Sequence, residues 1–336
     1  MKKSKSILAL IMIAPLAFYS CDDDDMEFEE IVITANRIDQ SVSFINAETN
    51  EVVETLFIPD SDPVYALYVY QNDKIYIADR AQNSVHIVDP DSRTVESSIT
   101  VGNGVFHMWA DKQGSQLWVN NDVDKTVSVI DLSSNTVMET VDLGVKPHDV
   151  FLRDNGSKAY VSIFSEMDTP DSVFLYSTST FERMHAVPVE KDAHLFFVKN
   201  GNRVFVACQS GTLIVLNGAN LNEITRVDLP GSHGIYHSPE NNYLYVTNIL
   251  GDQIYTVDDS DGELIVSPFD TEIAAPHNLV VNRDGDKLFV THSFMGVVED
   301  KVTAYTLGSD GSIVSDETIT VGTLPFGIAY YMRMVD

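Results

Sequence analysis

Cysteine is nearly absent from this sequence. Its 336 residues hold two, Cys21 and Cys208, so the mature chain has no disulfide framework if Cys21 is modified. Basic residues are scarce too: 21 Lys and Arg stand against 50 Asp and Glu, a formal charge of −29 at pH 7. Such a surface repels phosphates over its whole extent, which argues against nucleic acid or an anionic lipid face as partner. No nucleophile elbow, phosphate loop or zincin helix occurs, so the usual signatures of hydrolases, nucleotide binders and zinc proteases are missing. Long apolar runs are missing as well, apart from residues 7–18, a stretch too short to span a bilayer comfortably.

What is present begins with MKKSKSILALIMIAPLAFYSCDDDD: a basic start, the apolar run, a cysteine and four aspartates. This resembles a bacterial lipoprotein signal, cleaved before a cysteine that is then lipidated. The acidic run at 22–25 is similar to the surface-export tag of Bacteroidetes-type lipoproteins. The resemblance implies a signal peptide over 1–20, lipid on Cys21, an acidic linker over 21–30 and an outer-membrane location facing the cell surface, with the periplasmic side as the alternative. With 44% hydrophobic residues overall, the remaining 31–336 can bury the core of one large all-β domain or of two ordinary ones.

Internal repetition decides between these. Ile33, Tyr76, Trp118, Tyr160, Phe205, Tyr245 and Phe289 each open a YVTN-like tetrapeptide, at spacings of 43, 42, 42, 45, 40 and 44 residues. Each is followed by an alternating strand, among them SVSFIN, SVHIVD, TVSVID and QIYTVD. A unit of this length with several short strands cannot bury both faces of its sheet alone and must stack on neighbours, the signature of a β-propeller blade. Gln113-Gly114, Asn155-Gly156, Asn200-Gly201 and Asp284-Gly285 are expected as hairpin turns in which both central residues take positive φ. The first unit lacks a leading strand, whereas LPFGIAYYMR near the C-terminus has that pattern with nothing after it. The prediction is an all-β, seven-bladed propeller over 31–336, closed by a C-terminal strand that completes the first blade.

Tyr245-Val246-Thr247-Asn248 spells YVTN literally, and the chain resembles the YVTN or surface-layer-type seven-bladed propellers. That resemblance is specific for fold and says little about function, because such propellers bind small molecules, metals, cofactors and proteins alike.

Histidine recurs at one place in the repeat. His148, His233 and His277 lie 12 residues before their anchors, and His107 and His194 lie 11 before theirs. If the first strand of each blade is innermost, these residues face the mouth of the central channel. A one-residue slip turns a strand side chain over, so His107 and His194 join the ring only if the shortening lies in the turn or the entrance loop. Val64 and Phe326 hold the two remaining places. Three readings compete: histidines that merely bond neighbouring carbonyls, a metal site built on His148, His233 and His277, or a platform for an organic ligand or metal chelate.

Other candidates are weaker. His233 and His237 form HxxxH, but on a strand four residues span about 13 Å, too far for one ion. The acidic run 258–262 lacks the ligand order of a calcium loop and reads as a turn. His86 is expected on a solvent-facing side with its counterparts Ser43 and Ser128, His185 on an outer strand, and Cys208 as a small core residue of a half-buried strand. Two long connections, SIFSEMDTPDS and THSFMGVVEDK, are expected to wall the histidines, bringing Glu166, Met167, His292, Phe294 and Met295 to the pocket.

The expected ligand-binding set is therefore His107, His148, His194, His233, His277, His292 and Phe326. By analogy with outer-surface propeller lipoproteins, the ligand is a corrinoid or ferric chelate passed to a TonB-dependent transporter. The alternatives are a copper-dependent redox propeller and a protein-interaction scaffold with no small ligand.

Overall fold

A computed structural model describes residues 27–165, 168–260, 263–294 and 296–335. The expected signal peptide over 1–20, Cys21, the aspartates at 22–25, and Glu166, Met167 and Met295 lie outside the described residues. Within them the chain forms seven four-stranded antiparallel sheets and no helix. Six sheets are continuous in sequence, from innermost strand to outermost. Their inner strands are Pro63–Val69, Val105–Ala110, Pro147–Leu152, Ala193–Val198, Ser232–His237 and Pro276–Val281, which serve blades 2 to 7. Blade 1 takes its inner strand, Pro325–Val335, from the C-terminus, paired with Glu27–Asn36 from the N-terminus. The propeller thus closes as the missing leading strand predicts, and blade 1 has the same four strands as the others.

Pairing begins at Glu27, four residues before the boundary expected at 31. The acidic residues there have partners: Glu30 accepts from Tyr330 OH at 2.6 Å, and Glu29 meets Arg93 and Arg333. Charge alone marked this segment as linker, whereas those neighbours make it strand.

The repeating anchors lie in the second strand of each blade and are fully buried. Their aromatic character has a reason beyond area. Tyr160 OH donates to Gly218 O at 2.7 Å and Tyr245 OH to Gly311 O at 3.2 Å, each reaching a turn of the following blade. The residue three positions after the anchor is a second device. Asn36, Asp79, Asn121, Asn248 and His292 each hold a polar residue of the third strand: Ser43, His86, Ser128, Tyr255 and Thr303. The closing Asn of YVTN is therefore a buried pin between strands, satisfying polar atoms that blade stacking shuts off from water.

That stacking corrects two expectations. His86 does not face solvent: it is buried, with Nε2 3.0 Å from Asp79 Oδ2 and Nδ1 2.7 Å from Ser98 Oγ. Cys208 is a buried core residue, but its strand is covered on both faces, and burial pushes its thiol up to about 12. Alternation suggested one wet face, yet neighbouring blades cover both. His185, on the outer strand Arg183–Val189, is exposed as expected.

The hairpin turns also differ. In the loops between first and second strands, Gly114, Gly156 and Gly285 have φ between +64° and +68°, while the residues before them do not enter the left-handed region. Gly114 N donates to Asp111 O and Gly156 N to Arg153 O. These are five-residue loops with one left-handed glycine, not two-residue turns with two left-handed residues.

Candidate functional site

In six blades the inner strand carries a one-residue bulge near its start, opposite the second strand. The first bulge residue is Phe326, Val64, Phe106, His148, His233 and His277 in blades 1, 2, 3, 4, 6 and 7. The second is Gly327, Tyr65, His107, Asp149, Gly234 and Asn278. A bulge re-aims side chains that a regular strand would turn to opposite faces, so both registers reach the channel. His107 joins the ring through the second position. The inner strand of blade 5 has no such bulge, and His194 pairs directly with Ala207. The one-residue shortening seen in the sequence is thus resolved in the bulge, not in the turn or the entrance loop.

The result is a plug of five imidazoles. Ring centroids are 5.5 Å apart for His107 and His148, 4.7 Å for His148 and His194, 3.8 Å for His194 and His233, and 4.7 Å for His233 and His277. Phe326 closes the arc 4.3 Å from His277, and Phe106 lies 5.6 Å from His148. Val64 is packed into the hydrophobic core, and blade 2 presents Tyr65 instead. Gly234 leaves no room for a side chain here, since a Cβ would lie 2.3 Å from His277 O.

Two chambers meet at this plug. The one on the mouth side, about 360 Å³, is lined by the five histidines with Arg37, Phe106, Phe294 and Phe326. The long connection of blade 7 contributes Phe294 and Val297, as expected of a wall. From blade 4, Phe164 comes within 6.0 Å of His148. The chamber on the far side, about 540 Å³, is walled by Trp109, Phe151, Phe196 and Tyr236, which pack in sequence at 4.3, 5.1 and 4.9 Å. A cleft of about 510 Å³ among Pro188, Glu190 and Arg226 is lined by no histidine.

His292 does not join the ring. Its Nε2 is 2.8 Å from Thr303 Oγ1 and its Nδ1 3.2 Å from Ala274 O, which makes it blade 7's version of the strand pin. His237 lies at the other end of its strand from His233, as the HxxxH spacing required. In the acidic run, Asp258 accepts from Ser260 N in a turn and buried Asp259 pairs with Arg203, while residues 261 and 262 lie outside the described residues.

Residues that sequence reasoning passed over set the electrostatics. Asp149 Oδ1 is 3.1 Å from His107 Nδ1, and Tyr65 OH is 2.8 Å from His107 Nε2. Asp192 Oδ1 is 3.0 Å from His148 Nε2 and 3.7 Å from His194 Nε2. Asn278 Nδ2 lies 3.0 Å from His277 Nδ1. Burial lowers His107 to about 4 against the pull of Asp149, lowers His277 to about 3, and holds His233 well below its ordinary range. His148 goes the other way, because Asp192 outweighs its burial. Burial of Asp149 and partial burial of Asp192 would raise them, yet the adjacent imidazoles hold Asp149 at about 2 and Asp192 far below the carboxylate range. At neutral pH His107, His233 and His277 therefore offer neutral imidazole nitrogens, and with two carboxylates beside the plug they make a donor set suited to soft or borderline metal centres.

No protein-family model matches the chain, and no curated protein matches it in sequence. Solved structures do. A Lactobacillus plantarum protein is 16% identical, with TM-score 0.76 over 91% of this chain and 100% of that one. A Bacteroides fragilis protein with the provisional name 6-phosphogluconolactonase is 16% identical, with TM-score 0.71 over 90% and 98%. The hydrazine synthase of Kuenenia stuttgartiensis is 14% identical, with TM-score 0.68 over 81% and 95%. At such identities the likeness shows a common fold and nothing of the chemistry.

Proposed function

We propose that this protein is a binding propeller, not an enzyme, which captures a small metal chelate at the histidine-lined mouth of its channel. On this reading it belongs with the YVTN-type propellers, is lipid-anchored at Cys21 on the outer face of the outer membrane, and passes its ligand to a TonB-dependent transporter. The observation that carries the reading is the convergence of five imidazoles from five consecutive blades on one chamber, three of them held neutral by burial. Phe106, Phe294 and Phe326 supply apolar walls, and the guanidinium of Arg37, paired with Asp62, lies 4.9 Å over the Phe326 ring. A chamber of about 360 Å³ is smaller than a corrinoid, so a macrocycle would lie across the mouth and offer an axial position to the plug.

A second reading, a copper-dependent redox propeller, is favoured by one feature: ligand nitrogens of His107, His148 and His194 all lie within 4.8 Å of one another. The test uses the purified full chain with aquocobinamide and with ferric citrate, followed by absorbance and by thermal unfolding. Replacing His148, His233 and His277 together by alanine should abolish the spectral change on binding while most of the fold survives. A triple variant that melts much lower yet binds as the parent does, or a parent that binds neither probe, overturns the reading.

A further inference from the structure

The five imidazoles are not equivalent. His107 has both ring nitrogens engaged, by Asp149 and Tyr65, and His277 Nδ1 is engaged by Asn278. His148, His194 and His233 instead gather round one carboxylate, Asp192. His148 Nε2, His194 Nε2 and Asp192 Oδ1 form a triangle with sides of 3.1, 3.0 and 3.7 Å. Ligands about 2.0–2.1 Å from a tetrahedral ion are about 3.3 Å apart, so this triangle has the dimensions of one tetrahedral face. Ligand atoms of Asp192, His194 and His233 likewise lie within 4.8 Å of one another, so His233 shares two of its neighbours with that triangle.

Two further facts point to a missing partner. Asp192 Oδ1, though close to His148, is not aligned to accept from its ring, and it has no hydrogen-bond partner. His233 Nδ1, on a buried residue, has none either. Buried polar atoms left in this state are costly. The carboxylate is also held in place: Asp192 has φ +57°, and its N–H donates to Asp171 Oδ2 at 2.7 Å.

We infer that His148, His194, Asp192 and His233 bind one divalent transition-metal ion of the zinc or copper class. The set of imidazole nitrogens and one carboxylate oxygen suits these ions and not the oxygen-seeking Mg²⁺ or Ca²⁺. It differs from the trio His148, His233 and His277 expected from register alone, because His277 is committed to Asn278 and Asp192 stands outside the repeat. The ion needs no chelate, so the site stands whether or not the mouth captures one.

The experiment strips the full chain with a chelator, reloads it with Zn²⁺ or Co²⁺ alone, and measures bound metal per chain together with the Co²⁺ absorption spectrum. One ion per chain is expected, with a tetrahedral Co²⁺ spectrum. Asp192→Asn, which tolerates the left-handed backbone, should weaken binding at least about 100-fold, since even outer-sphere losses cost 10–100-fold. His194→Ala should do the same, while His237→Ala, on the same strand as His233 but outside the set, leaves both metal content and spectrum as in the parent. If Asp192→Asn fails to fold, His233→Gln reports instead, with the tetrahedral spectrum lost. No stoichiometric uptake by the parent, or parental affinity in both Asp192→Asn and His194→Ala, overturns the inference. Metal uptake without chelate binding would sink only the capture reading; chelate binding without metal uptake would sink only this one.

Discussion

Replacing His292 tests whether the strand pin has been identified correctly. In His292→Ala the buried Thr303 Oγ1 loses its partner at 2.8 Å, and the ring leaves a void in a fully covered strand. The carbonyl of exposed Ala274 can turn to water instead. An unsatisfied buried hydroxyl plus a partly relaxed void should cost about 2–4 kcal/mol. In His292→Asn the residue matches Asn36, Asn121 and Asn248 at the same place in blades 1, 3 and 6, so stability at pH 7.5 should stay within about 1 kcal/mol of the parent. Acid separates the two further. Burial lowers His292 to about 4 from an ordinary 6.5, so the unfolded chain binds the proton more tightly than the fold does. The neutral ring's contribution is complete above 6.5 and is lost as pH falls toward 4, with about 2 kcal/mol gone by pH 5. Asparagine does not titrate, so the gap between parent and His292→Asn should narrow or reverse between pH 7.5 and pH 5. Urea unfolding at the two pH values reads both effects. An alanine variant with the parent's midpoint, or an asparagine variant with the parent's full acid sensitivity, would refute the pin. So would loss of ligand binding in the asparagine variant, since that places His292 in the pocket.

Deleting residues 323–336 removes the inner strand of blade 1, including buried Ile328, Tyr331 and Arg333, and should leave a chain that aggregates or unfolds; unchanged melting and a monomeric elution profile would refute the closure. Cys21→Ser should release the protein into a soluble fraction, and alanines at 22–25 should change the side of the outer membrane it faces. Protease shaving of whole cells checks the second half, and full shaving of the alanine variant would count against an export role for the acidic run.

The fold was legible because a propeller writes its period into the chain. Anchors such as Trp118 and Tyr160 recur where each blade must plug into the next, and the absent first strand matched the unpaired segment at the end. The site was legible only as a register. Whether His107 faces the channel depends on a bulge that pairing creates, and nothing in the residues around His194 announces that blade 5 lacks one. Asp149 and Asp192 were passed over for a related reason: they vary between repeats, so periodicity hides them, although an acid one or two residues from a ring histidine was there to be noticed. Burial of His86 and Cys208 was beyond alternation, since a strand's own pattern does not say that another sheet lies against its second face. His292 was assigned to the pocket by its loop, when its position three residues after Phe289 made it a pin.

The most direct test of capture at the plug is an anomalous-difference map from crystals of the protein grown with a cobalt corrinoid. The account predicts a cobalt peak at the mouth of the chamber lined by Phe106 and Phe326, within bonding distance of a ring nitrogen of the histidine plug. A cobalt peak on the blade flanks or in the chamber beyond Trp109, with the mouth clear, would contradict it.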